Sequence, residues 1–290
     1  MDERDCLLLQ YLFEEKNITK AAEHLYITPA ALLYRLRQIE KKFGVHITIK
    51  NGNKITITPE GEYLIHRAKH SLWEWRKTKD YLLNMGNEVQ GTLRIGVSRV
   101  IAYYQLPTIL LNFLNMYPKV NPNVDTGLSD EIFKLLQNEK IHLGIVRGDY
   151  KWSGPKYLLK KENICIISKD KMNINDLPKI PRINYKLYSS LDEQINHWWN
   201  EKFNRPPLIT MQVDNYETCK EMARRGLGYA IIPSIFLNPD DRMHTIDLML
   251  ESGQLITLNT WIFYTESSLQ LATVRKFIDY IHSLDLNEKF

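Results

Sequence analysis

Basic side chains concentrated in one short segment are the residues of this sequence best suited to a specific chemistry. Between residues 16 and 54 the chain carries eight Lys and Arg residues but two acidic ones, which is a local charge of +6. The eight are Lys16, Lys20, Arg35, Arg37, Lys41, Lys42, Lys50 and Lys54. The whole chain of 290 residues carries +4, so the remainder is slightly acidic. Because Lys and Arg bind phosphates by displacing condensed counterions, this segment is predicted to bind a nucleic acid.

Two short helices are predicted to precede the most basic part of the segment. Apolar residues recur at helical spacing over residues 3–14. Thr19 is a suitable N-cap for a second helix over residues 20–25, in which Ala21 and Ala22 would let a neighbouring helix approach closely.

A third helix is predicted to present a basic outer face. Thr28 can cap it, Pro29 is tolerated in its first turn, and Gly44 ends it. Its buried stripe is formed by Leu32, Leu36 and Ile39. Its outward residues are Tyr34, Arg35, Arg37, Gln38 and Lys41.

A β-hairpin is predicted directly after these helices. Residues 46–50 and 54–58 both alternate with period two around Asn51-Gly52-Asn53, which is a strong hairpin signal. One apolar face is expected from Ile47, Ile49, Ile55 and Ile57. A helix–turn–helix followed by a hairpin wing over residues 1–58 is the element order of a DNA-binding domain.

A long helix is predicted from residue 59 to about residue 85, within a linker that extends to residue 90. Its seam, with alternating spacings of four and three, consists of Leu64, Ala68, Ser71, Trp75, Thr78, Leu82 and Met85. Such a seam favours pairing with the same helix of a second copy. Packing of the seam on its own domain is the alternative.

After residue 91 the pattern changes to β-strands alternating with helices. Strands are predicted at 92–97, 123–126, 142–146, 163–168, 208–213, 227–232 and 258–264, and helices at 100–117, 129–138, 191–203, 215–225 and 269–284. This alternation indicates an α/β domain over residues 91–290 with a largely parallel sheet.

Several other functions find no support in the sequence. The nucleophile-elbow, phosphate-loop and dinucleotide-binding motifs are absent, so an enzyme is not expected. His66 and His70 have metal-ligand spacing on the long helix, but a solvated helix face is the simpler interpretation, and no metal or cofactor is predicted.

The cysteines and the hydropathy pattern point to a cytoplasmic protein. Cys6, Cys165 and Cys219 form no pair with disulfide or zinc spacing, so three reduced thiols are expected, with redox sensing as the alternative. No signal-peptide pattern and no apolar run of about 20 residues is present, so no membrane partner is expected.

The N-terminal motifs resemble those of the LysR-type transcriptional regulators. The matching segments are Ala21-Ala22-Glu23-His24-Leu25, Thr28-Pro29-Ala30-Ala31-Leu32-Leu33, Leu36-Arg37-Gln38-Ile39-Glu40 with Gly44, and Thr58-Pro59-Glu60-Gly61. The resemblance implies a C-terminal domain like the type-2 periplasmic binding proteins, in which two crossing strands join two subdomains around a small effector. Subdomain I would comprise about 91–161 and 266–290, and subdomain II about 162–265.

The same resemblance implies a regulator that binds a double-stranded DNA operator. Family members are dimers of dimers, so the expected partners are a second copy, further copies forming a tetramer, and RNA polymerase. The rival readings are a constitutive regulator whose pocket is filled by aromatic residues, and a cytoplasmic solute-binding module. Candidates for the filling are Tyr103, Tyr104, Trp198 and Trp199.

The family's DNA contacts can be carried over position by position. The resulting candidates are Thr19, Thr28, Pro29, Ala30, Leu33, Tyr34, Arg35, Arg37, Lys50 and Lys54. Pro29-Ala30 stands where the family has Gln-Pro, and Leu33 where it has Ser or Thr, so Leu33 either packs on a thymine methyl group or is buried. Tyr34 and Arg35 are therefore expected to read bases.

The remaining candidates on the DNA side are expected to contact the backbone. Thr28 and Arg37 are predicted to hold phosphates, and Lys50 is predicted to approach the minor groove or the backbone.

The resemblance also places an effector pocket at strand ends and helix N-termini of the C-terminal domain. The candidate residues are Ser98, Arg99, Gly127, Leu128, Ser129, Arg147, Asn215 and Tyr216. Arg147 can pair with a carboxylate in a bidentate way, so the expected effector is a small carboxylate, such as a di- or tricarboxylate. A surface salt bridge is the alternative role of Arg147.

A closer resemblance lies in two segments of the C-terminal domain. Arg147-Gly148, and residues 218–222 with Gly226-Leu227-Gly228, resemble citrate-responsive catabolite-control regulators. The effector expected from this resemblance is again a carboxylate.

Overall fold

The structure, a computed structural model, describes residues 1–51, 54–83, 88–185, 190–238 and 240–284. The chain divides into two compact units, Met1–Gly91 and Thr92–Phe290. In the described residues no helix is long and apolar enough to cross a membrane.

The N-terminal unit contains four helices and a hairpin in the described residues. They are α1 (Glu3–Glu15), α2 (Ile18–His24), α3 (Pro29–Phe43), β1 (Thr48–Asn51), β2 (Lys54–Ile57) and α4 (Pro59–Leu83). Its core is formed by Leu8, Leu9, Leu12, Ala21, Ala22, Leu32, Leu36, Ile39, Ile47 and the first half of α4. The predicted winged helix–turn–helix is confirmed in element order.

Helix α3 begins and ends where its residue types require. The Ala31 N–H donates to Thr28 Oγ1 over 3.2 Å, which satisfies one free donor of the first turn. Gly44 adopts φ 67° after the last turn, a conformation that costs glycine little. These contacts fix where α3 begins and ends, and the outer face of α3 is the candidate DNA-binding surface.

Helix α2 begins two residues earlier than predicted. Its N-cap is Asn17, whose Oδ1 accepts a hydrogen bond from the Lys20 N–H over 3.1 Å. Thr19 therefore lies inside the first turn and is exposed, so its predicted capping role is wrong.

The hairpin does not have the single isoleucine face that was predicted. Thr48 pairs with Ile57 and Ile49 with Thr56. Directly opposed residues of an antiparallel pair share a face, so odd-numbered residues of the two strands lie on opposite faces. Ile49 of β1 is 53% exposed, whereas Ile55 of β2, on the opposite face, is buried. Ile47, which precedes β1, is buried as well.

The first half of α4 packs on its own unit. Leu64, Ala68 and Leu72 are buried in the core that includes α1. The seam residues Thr78 and Leu82 are exposed, and Met85 lies outside the described residues. The seam is thus divided between an internal half and a solvent-facing half.

The C-terminal unit is an α/β structure with strands and helices in alternation. Its larger elements are β3 (Gly91–Ser98), α5 (Arg99–Tyr104), α6 (Leu106–Met116), β4 (Val120–Gly127), α7 (Ser129–Gln137), β5 (Leu143–Arg147), β6 (Lys156–Ser168), β7 (Arg182–Tyr185), α8 (Ser190–Lys202), β8 (Ile209–Val213), α9 (Tyr216–Arg224), β9 (Tyr229–Pro233), β10 (His244–Asp247), β11 (Thr257–Tyr264) and α10 (Ala272–Ser283). Short 3₁₀ turns lie at Ile174–Lys179, Ser234–Phe236 and Ser268–Gln270.

The sheet of this unit is mixed rather than largely parallel. The described strands follow the order β4-β3-β5-β11-β6-β9-β7-β8, and β10 pairs with β6. Strand β3 is parallel to β5, and β7 is parallel to β8 and β9. Strands β6 and β11 are antiparallel to the strands with which they pair.

Strand β6 joins the two halves most directly. Residues 156–163 pair with β11, and residues 164–167 pair with β9. Strand β11 pairs with β5 on one side and with residues 156–163 of β6 on the other. A contact made by β6 is positioned to act on both subdomains.

The predicted helix over residues 100–117 is two helices. The break falls at Gln105, whose backbone leaves the helical region (φ −125°, ψ −40°). Pro107 follows in the first turn of α6, where its missing N–H and fixed φ are tolerated, but it cannot continue a helix from α5. Strands β7 and β10 were not predicted, because four-residue strands carry little periodic signal.

Gly61 is predicted to be a position where any side chain lowers stability. A Cβ atom there would clash with the backbone oxygen of Ile47, which cannot rotate away as a side chain would. Gly61→Ala should lower the free energy of unfolding of the N-terminal unit by about 1–3 kcal/mol, although alanine favours helix. Urea unfolding followed by circular dichroism measures this. Glu62→Ala, at an exposed neighbour, is the control, and equal stability of both variants would contradict the packing argument.

Candidate nucleic-acid interface and effector site

The outer face of α3 presents most of the candidate DNA contacts to solvent. Tyr34 is 68% exposed, and Thr28, Pro29, Ala30 and Arg37 are exposed beside it. Leu33 is only half-buried, at the edge of this face. The face combines a hydroxyl, an aromatic ring and a guanidinium group, which are suited to phosphates and base edges.

Arg35 does not lie free on this face. Its Nε atom donates to Asp5 Oδ1 over 2.6 Å, and its Nη2 atom donates to Asp2 Oδ1 over 2.7 Å. The carboxylates raise the pKa of the guanidinium, and the hydrogen bond to Asp5 is the largest cause. The structure therefore places Arg35 between α3 and the start of α1, rather than beside Tyr34.

The same two aspartates cap α1. The Asp5 N–H donates to Asp2 Oδ1 over 2.8 Å, and the Asp2 N–H donates to Asp5 Oδ2 over 3.0 Å. The pKa of Asp2 is lowered, chiefly by the hydrogen bond from the Asp5 backbone; burial opposes this shift, and the charge and hydrogen bonding of Arg35 add to it. Arg35 thus completes a reciprocal cap and joins two helices of the unit.

The hairpin wing carries two of the candidate DNA contacts. Strands β1 and β2 contain Lys50 and Lys54, but the side chains of both lie outside what the structure describes. Thr19 is exposed on α2.

One exposed residue next to the DNA candidates was not predicted. Tyr26, in the turn between α2 and α3, has φ 54° and is 96% exposed. An aromatic residue in a turn between two helices gives no periodic signal. It could have been found only by noting that the turn is too short to bury its ring.

In the C-terminal unit, the end of β5 meets the start of α7. The Arg147 backbone N–H donates to Ser129 Oγ over 3.1 Å, so two predicted effector residues are brought together. Gly127 is buried at the end of β4, and a Cβ atom there would lie 2.7 Å from Glu131 Oε2. The Leu128 N–H already donates to that oxygen over 2.8 Å.

The side chain of Arg147 forms a buried ion pair. Its Nη2 and Nε atoms donate to Glu162 Oε2 over 2.8 and 3.2 Å. The Arg147 side chain is 7% exposed and that of Glu162 is 0% exposed. Arg147 thus forms a salt bridge, as the alternative interpretation of this residue expected, but the salt bridge is buried and not at the surface.

Glu162 is the main residue of the site that the sequence did not reveal. It lies on β6 within the run Lys160-Lys161-Glu162-Asn163, which has the polarity of a loop. Its Oε1 atom is buried and has no hydrogen-bond partner among the described residues. A carboxylate oxygen in this state is an acceptor ready for an N–H or O–H donor.

Aromatic rings form a wall beside the ion pair. The ring of Tyr216 stacks on Tyr185 with centroids 4.1 Å apart and lies 5.1 Å from Phe236. Phe236 also packs edge-on against Tyr104 at 5.7 Å, and the guanidinium carbon of Arg147 lies 5.8 Å from the Phe236 ring. Arg147 and Tyr216 are thus brought together as predicted effector residues.

Electrostatics place Arg99 near this wall. Burial raises the pKa of Tyr185, and the charges of Arg147 and Arg99 oppose the rise. Arg99 is exposed at the start of α5, directly after Ser98. The Ser98 hydroxyl is buried and has no partner among the described residues.

Asn215 is the N-cap residue of α9. It is exposed, and its Oδ1 accepts a hydrogen bond from the Thr218 N–H over 2.7 Å, which caps α9. It therefore positions Tyr216, the first residue of that helix.

The four residues considered as pocket fillers separate into three environments. Trp198 and Trp199 are buried in one hydrophobic cluster of the C-terminal unit, and their indole N–H groups donate to backbone oxygens. Tyr103 is exposed. Only Tyr104 reaches the aromatic wall, and its hydroxyl has no partner among the described residues.

The described residues hold no cluster of three or more His, Cys, Asp or Glu side chains that is suitable for a metal ion. His70 lies 4.0 Å from Glu74 on the exposed face of α4, as a solvated helix pair.

Two family models match the chain in the order that the fold shows. Residues 4–62 match the bacterial regulatory helix-turn-helix protein, lysR family, and residues 86–285 match the LysR substrate binding domain. The chain therefore belongs to the LysR family of transcriptional regulators. It is a DNA-binding regulator with a C-terminal effector-binding domain.

Relatives cover nearly the whole chain. The uncharacterized HTH-type transcriptional regulator YraN of Bacillus subtilis (strain 168) is 42% identical over 281 residues, 97% of each chain. The uncharacterized regulator YkuM of the same organism is 34% identical over 279 residues, 96% of this chain and 95% of its own. Both of these relatives are named as transcriptional regulators.

Solved structures show the same fold at low sequence identity. Full-length CbnR in complex with its target DNA superposes with a TM-score of 0.69 at 18% identity, covering 97% of this chain and 99% of that one. The virulence activator AphB of Vibrio cholerae superposes with a TM-score of 0.63 at 14% identity, covering 99% and 100%.

The three thiols are predicted to be unreactive in the folded protein. Burial raises the pKa of Cys6 and Cys165, and that of Cys219 to about 12; the Cys165 thiol also donates to Asp247 Oδ1. At pH 8 all three should stay protonated, and only the thiolate is nucleophilic. Titration with a disulfide reagent should therefore modify none of them in native protein and three after unfolding in guanidinium. Stoichiometric reaction of one native thiol would instead support the redox alternative.

Proposed function

We propose that the exposed face of α3 enters the major groove of an operator and reads its sequence. The exposure of Tyr34 and Arg37 on one face, with Thr28 at the helix N-terminus, is the observation that supports this most directly. Tyr34 contacts base edges, whereas Thr28 and Arg37 bind phosphates at the groove edge. Leu33 packs at the rim of the face, and the wing residues Lys50 and Lys54 bind the flanking backbone.

Arg35 acts as a positioning residue in this proposal. Its guanidinium already binds Asp2 and Asp5, so moving it to a base would leave two carboxylates facing the DNA. An arginine that joins α1 to α3 sets the angle at which Tyr34 is presented.

Self-association uses the solvent-facing half of α4. Tyr81 and Leu82 are exposed there, beyond the part of the helix that packs on the N-terminal unit. A second copy covering this half gives the dimer, and two dimers give the homotetramer. RNA polymerase is a further partner of the DNA-bound assembly.

The proposed effector is a small carboxylate that also carries a hydrogen-bond donor. The Arg147 Nη1 atom has no hydrogen-bond partner among the described residues, so a carboxylate can bind it while Glu162 keeps Nε and Nη2. A carboxylate alone would also meet the negative charge of Glu162. A hydroxyl or ammonium group that donates to Glu162 Oε1 removes this conflict, and hydroxy acids and amino acids have both groups.

Effector binding would influence DNA binding through strand β6. Glu162 belongs to a strand that pairs with both halves of the sheet, so a ligand held by Arg147 and Glu162 favours one relative position of the subdomains. Regulation requires only that this position has a higher affinity for the effector than the other.

Substitution of Arg37 should weaken operator binding without affecting the fold. Arg37→Ala removes a phosphate contact, so the slope of log K against log salt should fall in magnitude by about 1. Fluorescence anisotropy on a duplex selected by the wild-type protein from a random pool measures this. Lys134→Ala, which removes an exposed charge from α7, is the matched control. A slope identical to that of the wild type would remove Arg37 from the interface.

Arg35→Ala should behave differently from Arg37→Ala. Because it breaks the link between α1 and α3, it should lower both the operator affinity and the unfolding midpoint of the N-terminal unit. Urea unfolding and anisotropy on the same samples separate the two effects. Loss of affinity at unchanged stability would return Arg35 to the role of a base contact.

Paired ligands test the effector proposal. Lactate and alanine should each bind about tenfold or more tightly than propionate, and malate more tightly than succinate, because the plain acids leave Glu162 Oε1 without a donor. Isothermal titration calorimetry measures the difference. Arg147→Met should abolish binding of every acid, and Glu162→Gln should remove the advantage of the ammonium group. Absence of heat with the whole panel would favour the constitutive regulator, in which Tyr104 and Phe236 close the site.

A further inference from the structure

Arg182 is a buried cation to which no function has been assigned. It begins β7, where its backbone N–H donates to Leu208 O over 2.7 Å. The residue is 5% exposed, and its Nε atom is buried without a hydrogen-bond partner among the described residues. Burial lowers the pKa of the guanidinium, but an arginine stays charged in any protein interior.

Other buried cations of this unit have their own acceptors. Lys220 lies 3.1 Å from Glu217 and 3.5 Å from Asp241, and it donates to Phe236 O. Arg147 is paired with Glu162. Arg182 forms no ion pair within the part of the chain that the structure describes. Burying a charge without a partner costs several kcal/mol, so its retention points to an anion that the protein does not itself supply.

A second unsatisfied group lies beside Arg182. Tyr229 is directly opposite it in the parallel ladder between β7 and β9, so both side chains leave the same face of the sheet. The Tyr229 hydroxyl is buried and has no partner among the described residues. The charge of Arg182 opposes the rise in the pKa of Tyr229 that burial causes, which places the two groups within electrostatic range.

The groups around Arg182 do not neutralise its charge. Asp192 is the carboxylate named among the main charges that act on Arg182. Among the described residues, the two form no salt bridge. The others are Tyr229, Cys219 and Tyr216, which are neutral at physiological pH because burial raises the pKa of each.

We propose that Arg182 and the Tyr229 hydroxyl form a binding site for a small oxyanion in subdomain II. The planar guanidinium presents parallel donors that match two oxygens of a carboxylate or a phosphate, and the phenol donates to one of them. This site shares no residue with the Arg147–Glu162 pair, and the proposal does not depend on the effector proposed there. Binding neutralises a buried charge, so the anion stabilises the folded subdomain.

Thermal unfolding of the full chain tests the site. Unfolding is followed by tryptophan fluorescence in sodium phosphate, acetate or chloride at equal ionic strength and pH. The wild-type midpoint should rise saturably with phosphate or acetate relative to chloride, by roughly 3–6 °C at ten times the half-saturating concentration. A rise with one oxyanion but not the other identifies which source the site accepts.

Arg182→Met separates this site from general salt effects. The variant should not respond to either oxyanion, and in chloride it should be at least as stable as the wild type because it lacks a buried charge. Arg275→Met, at an exposed position of α10, should respond as the wild type does. Tyr229→Phe removes only the hydroxyl and should raise the half-saturating concentration several-fold, so the test remains available if Arg182→Met folds poorly. No response in the wild type, or the same response in Tyr229→Phe and Arg182→Met as in the wild type, would overturn the proposal.

Discussion

The buried ion pair between Arg147 and Glu162 is the interaction on which the organisation of the effector-binding unit depends. It joins the end of β5 to β6, and neither side chain is appreciably exposed. Two charges in the interior are tolerated only if each satisfies the other, since an isolated one would cost several kcal/mol. The pair therefore fixes the position of Arg147 at the strand end where a ligand of this fold would bind.

A similar arrangement orders the DNA-binding unit. Arg35 is held by Asp2 and Asp5, so the most conspicuous basic residue of α3 is used within the protein. The surface that remains for DNA is formed by side chains around Tyr34 and Arg37. In both units, an arginine that is charged and well placed for a ligand is first bound by carboxylates of the chain, and this narrows what each site can recognise.

Local chemistry predicted most of the fold. The Thr28 cap, the terminal Gly44 and the alternating runs around the hairpin act within a few residues of one another, so the sequence shows them directly. Contacts with distant partners could not be predicted from the sequence. Glu162 is 15 residues from Arg147, and Asp2 is 33 residues from Arg35, and only the tertiary fold brings them together. The faces of the hairpin were wrong for a related reason, because they depend on a register that one strand alone does not reveal.

A double-mutant cycle on the pair tests most directly the claim that it organises the effector site. Arg147→Met and Glu162→Leu are each predicted to lower the free energy of unfolding of the C-terminal unit by about 3–5 kcal/mol, because each leaves a buried charge alone. The double variant should be closer to the wild type than either single variant, since both charges are gone. Urea unfolding measures all four proteins. Additive losses, with the double variant the least stable, would contradict the account.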